Sequence, residues 1–83
     1  MNNMHYVYIL QSLKDNNLYI GMTANVAERI KRHNAGYERS TKNRIPFKLL
    51  HIEEFVTRIE ARSREKYLKS GFGREIIKKL LIH

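Results

Sequence analysis

Tyr6-Val7-Tyr8-Ile9-Leu10, followed after a polar tip by Leu18-Tyr19-Ile20-Gly21, is the stretch that decides the fold. Aromatic, β-branched and apolar residues crowd the first segment. Gln11-Ser12 and Lys14-Asp15-Asn16-Asn17 then interrupt it with residues that favour turns and tolerate left-handed backbone. Two strand-like segments joined by so short a polar tip predict an antiparallel hairpin. Side chains alternate across a strand, so Tyr6, Tyr8 and Leu10 share one face of the first strand, and Tyr19 and Gly21 share a face of the second. Tyr8 and Tyr19 are thereby set to meet over one surface.

Working outward, Asn25 stands three residues before Glu28 in an Asx form of the capping box, and Val26, Ile30 and His33 recur at near-helical spacing. A helix over 26–34 follows, with Gly36 where a left-handed stop belongs. Arg29 and His33 are four apart, on one face, bordering the Val26 and Ile30 stripe. Gly36 to Pro46 reads as a basic loop, and 47–56 resumes a strand-like pattern. Thr57-Arg58-Ile59-Glu60 is a Thr-x-x-Glu capping box that opens a helix through Lys69. On that helix Ala61 and Leu68 share a face, and Glu65 lies beside it, which aims a carboxylate at the interior or its rim. Ser70-Gly71-Phe72-Gly73 reads as a break, after which Ile76, Ile77, Leu80 and Leu81 mark a short amphipathic helix. The order β, β, α, β, α, α indicates an α/β (α+β) domain, a small three-stranded antiparallel sheet flanked by helices.

The 83 residues make one domain, 1–83, too small to expect a large internal cavity. The absence of cysteine excludes disulfides, thiolate nucleophiles and Cys-based metal sites. Apolar runs fall far short of the roughly 18 residues of a membrane span, and Met1-Asn2-Asn3-Met4-His5 is polar, so a cytoplasmic protein without membrane association is the expectation. Sixteen Lys and Arg against eight Asp and Glu give a net charge of +8, and every basic residue except Lys14 lies between Arg29 and Lys79. Arg29, Lys31, Arg32, Arg39, Lys42, Arg44 and Lys48 face Glu38 alone over the stretch from Arg29 to Lys48. A one-signed cluster this dense predicts a polyanionic partner, nucleic acid first, with Lys31, Arg32, Arg39, Lys42 and Arg44 contacting its phosphates.

No Walker-type loop or metal-enclosing cluster is present. Two strand tyrosines, an arginine and histidine on one helix face, and an isolated glutamate remain. Arg29 supplies a permanent forked cation for phosphate, His33 a proton shuttle, and Glu65 one oxygen ligand for a magnesium ion that keeps most of its waters. Each of these residues also has an ordinary structural use, and for Glu65 that use is an ion pair with Arg62 or Lys69. The residues alone therefore leave nucleic-acid binding and phosphodiester hydrolysis both open.

The ordered pattern resembles the GIY-YIG nuclease superfamily, in particular its small single-domain bacterial members, relatives of the N-terminal nuclease domain of the bacterial excision-repair endonuclease. Val7-Tyr8-Ile9 resembles the first half of the signature, with Tyr6 where its glycine falls, and Tyr19-Ile20-Gly21 is the second half unaltered. Asn25 to Asn34 resembles the family helix, with Arg29 followed four residues later by His33. Ser40-Thr41-Lys42-Asn43-Arg44 and Glu60-Ala61 through Lys69 resemble the small-member loop and the metal-glutamate helix. Met22 stands where many relatives carry lysine or tyrosine.

The resemblance implies a catalytic set of Tyr8, Tyr19, Arg29, His33 and Glu65. Tyr8 is then the water-activating phenol, Tyr19 its positioning partner, Arg29 the phosphate clamp and His33 an aid to proton transfer. Glu65 is the ligand of a single Mg2+ or Mn2+, and Gly21 allows close approach of the backbone beside the site. The implied activity is DNA endonuclease cleavage, structure-selective and linked to repair or recombination, with a protein partner for targeting. A binding module with the same fold and a degenerate site is the alternative. A small subunit that docks through the 76–81 stripe is a third reading.

Overall fold

The computed structural model describes residues 3–81. In chain order it has β1 (His5–Ser12), β2 (Leu18–Thr23), α1 (Val26–Asn34), a 3-10 turn at Lys42–Arg44, β3 (Phe47–Phe55), α2 (Arg58–Lys69) and α3 (Gly71–Leu81). The sheet order is β2-β1-β3, with both pairings antiparallel. This is the three-stranded α+β architecture expected from the sequence.

The central strand is why Tyr6 to Leu10 is so apolar. Val7, Tyr8, Ile9 and Leu10 are all buried, because β1 is covered on both faces. Val7 and Ile9 pack with Ala61 and Leu68 of α2 and Ile77 of α3. Tyr8 and Leu10 turn to the opposite face and pack with Phe47, Val26 and Ile30. Each large side chain so buried contributes about 1.5–3 kcal/mol relative to exposure, so this strand anchors two clusters at once.

The hairpin tip closes as its residues dictate. Asn16 adopts φ 62°, the left-handed conformation that asparagine accepts readily. The buried Ser12 hydroxyl accepts the N–H groups of Lys14 and Asp15 at 3.0 and 3.1 Å and donates to the Arg44 carbonyl at 2.5 Å. That last bond fastens the tip to the loop before β3.

At α1 the Asn25 side chain accepts the Glu28 N–H at 3.1 Å, as a cap requires, and Gly36 follows the helix at φ 81°. Asn34 then staples the end of α1 to the start of β3, accepting the Phe47 N–H at 2.7 Å and donating to its carbonyl at 3.2 Å. Thr57 caps α2 by accepting the Glu60 N–H at 3.1 Å. Arg64 binds both oxygens of Glu53 on β3 at 2.7 and 3.0 Å, and this guanidinium holds the Glu53 carboxyl below the usual carboxylate range.

Two expectations are corrected. The glycines after Ser70 do not break the chain before a later helix, because α3 begins at Gly71. Ser70 alone separates the helices, with its hydroxyl accepting the Gly73 N–H at 3.2 Å. A Cβ on Gly73 would stand 2.5 Å from Leu68 Cα, so the missing side chain is what lets α3 turn back against the end of α2. The 76–81 stripe is also not a free docking face: Ile77 is buried, and Ile76 and Leu81 pack against the same cluster as Val7 and Ile9.

Candidate active site

The face of the sheet that carries Tyr8 is covered by α1, and here the residues singled out in the sequence converge. Cross-strand register sets Tyr8 opposite Gly21 and Leu10 opposite Tyr19, which leaves Tyr8 and Tyr19 as diagonal neighbours with ring centroids 6.3 Å apart. A Cβ on Gly21 would lie 2.5 Å from Tyr8 Cζ. The phenol ring therefore occupies the space that any other residue at 21 would fill.

From α1, His33 points inward and is fully buried. Its Nε2 is 3.0 Å from Tyr8 Oη and its Nδ1 is 2.8 Å from Thr41 Oγ1. Tyr19 stacks edge-on against His33 at 4.9 Å, and Phe47 closes the other side at 5.9 Å. Tyr8, His33 and Thr41 are each 0% exposed, so the group meets solvent through the half-exposed Tyr19 and Arg29.

Donor and acceptor logic fixes the direction of this chain of bonds. Thr41 Oγ1 donates to the Glu38 carbonyl at 3.5 Å, which leaves it to accept from His33 Nδ1–H. In a neutral ring Nε2 is then bare and accepts the Tyr8 hydroxyl. Arg29 adds its positive charge beside the phenol. Burial raises the Tyr8 pKa above its ordinary value and nearby Tyr19 adds to that, while Arg29 opposes both. Burial lowers the His33 pKa, with Arg29 and Arg32 acting in the same direction against Glu38.

A pH prediction follows from His33. A histidine held neutral in the fold takes up a proton on unfolding, so its contribution to stability is complete above the unfolded value of about 6.5. That contribution is lost as pH falls through the depressed folded value. The unfolding midpoint of the wild type should therefore drop between about pH 7 and pH 5 more steeply than that of His33→Gln. Parallel curves would show that His33 titrates alike in both states.

Glu65 lies apart from this group. It projects from α2 between Ala61 and Leu68, on the side that packs against Val7 and Ile9, and is 6% exposed. Arg62 holds Oε1 at 3.0 Å and Lys69 holds Oε2 at 3.3 Å. Among the described residues no three His, Asp or Glu gather as a metal cage. One hard carboxylate still fits a magnesium ion that retains waters and takes further oxygens from phosphate. The two cations on Glu65 have side chains 58% and 51% exposed, which leaves them room to swing towards solvent.

The basic residues divide into two groups. Arg44 is tied to Asp15 at 3.1 Å and the Leu18 carbonyl at 3.3 Å, and lies over the Phe47 ring. Arg32 pairs with Glu38 at 3.0 Å beside Tyr37. Lys31, Arg39 and Lys42 are exposed and have no carboxylate within ion-pair reach among the described residues. Met22 packs into the Val7 and Ile9 cluster, on the face away from Tyr8. Thr41 is the participant that sequence reasoning passed over, since its partner lies eight residues away and no local pattern signals the bond.

Comparison with known proteins places the chain in a family. The GIY-YIG catalytic domain profile matches residues 4–79, and the chain belongs to the GIY-YIG nuclease family. Within that family it resembles the UPF0213 proteins. It is 46% identical over 71 residues to one from Haloquadratum walsbyi, an alignment that covers 84% of this chain and 79% of that one. It is 49% identical over 67 residues to one from Clostridium perfringens, covering 80% and 71%. The solution NMR structure of the UPF0213 protein BH0048 from Bacillus halodurans superposes with a TM-score of 0.57 at 38% identity, covering 93% of this chain and 84% of that one. Family membership implies nucleic-acid binding. Among the described residues no helix is long and apolar enough to cross a membrane.

Proposed function

We propose that this protein is a divalent-metal-dependent endonuclease that hydrolyses DNA phosphodiester bonds, of use in repair or recombination. The observation that carries the reading is the buried Tyr8–His33–Thr41 chain, with the Arg29 charge beside its phenol. A phenol linked to a neutral, bare imidazole nitrogen can take a proton from water while passing its own to Nε2. Hydrolysis needs that relay as the new oxygen–phosphorus bond forms and the bond to the departing strand breaks. Nδ1 stays protonated and hydrogen-bonded to Thr41, so the imidazolium forms in a fixed orientation. Arg29 offers two parallel N–H groups to the non-bridging oxygens as their charge grows. Tyr19 lies against the histidine ring and keeps bulk water off the pair. Glu65 would hold the metal, which supplies Lewis-acid stabilisation when bound. Lys31, Arg39 and Lys42 would hold the flanking phosphates.

One observation favours a second reading, a nucleic-acid-binding module without chemistry: both oxygens of Glu65 are already neutralised by Arg62 and Lys69. A single experiment separates the two. Labelled single-stranded, duplex, flapped and branched DNA is incubated with Mg2+ or Mn2+, and in parallel with EDTA. Cutting that EDTA abolishes is the expected result. Salt-sensitive binding to every substrate with no cutting in either metal would establish the binding module instead.

A further inference from the structure

The free edge of β2 and the two C-terminal helices enclose an open groove of about 560 Å³ that the chemistry described above does not use. Its floor is apolar, made by Leu18 and Ile20 of β2, Leu68 of α2 and Ile77 of α3. Its rim is cationic, formed by Lys69, Arg74 and Lys78, and no Asp or Glu lines it. Arg74 has no carboxylate within ion-pair reach among the described residues, and Lys78 meets only the exposed Glu75 at 3.6 Å. Tyr19, whose ring stacks on His33 at 4.9 Å, also lines the groove at the β2 edge, and Lys69 on its rim reaches Glu65.

An apolar floor under a rim of cations matches one kind of polyanion. A duplex stacks its apolar base faces inward and presents phosphates, sugars and polar base edges, so it can meet the rim but brings no base face to the floor. An unpaired nucleotide brings both parts, phosphates for Lys and Arg and an unstacked base or sugar for the apolar surface. The cationic rim favours an anionic occupant, and the net charge of +8 adds attraction of the same sign.

We infer that this groove binds the unpaired nucleotides flanking the scissile phosphate, so that the substrate is nucleic acid with a single-stranded segment beside the cut. The assignment rests on the nuclease reading for the word scissile, but the binding itself does not. It adds Lys69, Arg74 and Lys78 of α2 and α3 to a surface that the sequence placed wholly between Arg29 and Lys48.

The test is equilibrium binding in EDTA, where no cleavage occurs, by fluorescence anisotropy of a labelled single-stranded DNA oligonucleotide and of a blunt duplex of the same sequence. Arg74→Gln combined with Lys78→Gln is expected to weaken single-strand binding about tenfold at about 100 mM salt and to reduce the salt slope by about 1.4. Duplex binding should change less than about threefold. Leu18→Asn, an uncharged change at an exposed position, leaves the charge of the rim intact and is expected to lower single-strand affinity selectively, with the fold checked by circular dichroism. Equal losses on both substrates, or no loss on either, would overturn the assignment. A protein that never cuts in metal and still shows the selective loss would sink the nuclease reading while leaving the groove in place.

Discussion

Tyr8→Phe should cut DNA about 100- to 10,000-fold more slowly than the wild type while binding it almost as well. The substitution removes one oxygen atom from a ring that is fully buried and otherwise packed as before. The lost atom is the one that donates to His33 Nε2, so the proton relay loses its first member. His33 Nε2 is left buried without its donor, at a cost of about 1–3 kcal/mol, visible as a lower urea midpoint with an unchanged slope. Because Tyr8 and His33 act as one unit, the double variant Tyr8→Phe/His33→Gln should be no slower than the worse of its two parents. Full additivity of the two losses would mean that the residues contribute independently. An unimpaired Tyr8→Phe would move the chemistry to Tyr19, the half-exposed phenol of the pair.

Glu65→Gln should reduce metal-dependent cleavage to background and leave DNA affinity unchanged or slightly higher. Glutamine preserves the shape of the side chain and can still accept from Arg62 or Lys69, so the fold loses little: both cations are about half exposed and solvent replaces their partner. What disappears is the charged oxygen ligand. Removing one negative charge beside Lys69 also favours the approach of a polyanion, which is why affinity should not fall. Cleavage at the wild-type rate with Mg2+ would show that the metal, if used, is held elsewhere. A fall in affinity parallel to the fall in rate would make Glu65 a structural clamp for α2.

Much of the architecture could be read from local chemistry. The hairpin was announced by apolar segments around Asp15-Asn16-Asn17, and both main helices by their caps at Asn25 and Thr57, because those signals depend on neighbours within four residues. The juxtaposition of Tyr8 with Tyr19 followed from the two-residue period of a strand. What could not be read depends on contacts made at a distance. Thr41 joins His33 only because the basic loop folds back over α1. Arg44 looks like a phosphate contact in sequence and is instead engaged with Asp15 and Phe47, 29 residues before it and three after. Ser70-Gly71-Phe72-Gly73 carries the composition of a loop, yet Gly73 is small because α3 must approach the backbone of Leu68. Helical spacing gave the burial of Glu65, while the sheet face it occupies came only from packing.

The two-sided burial of β1 has an evolutionary meaning. A single layer of backbone separates a scaffold, built on Val7 and Ile9, from a reaction chamber, built on Tyr8 and its neighbours. Hydroxyl and imidazole groups can be deleted from the chamber without touching the scaffold, so a descendant can lose its reaction and keep its shape, its charge and its hold on nucleic acid. The silhouette would not tell such a pseudoenzyme from a working relative; the buried Tyr8–His33–Thr41 chain on one side of the sheet and the Glu65 carboxylate on the other would.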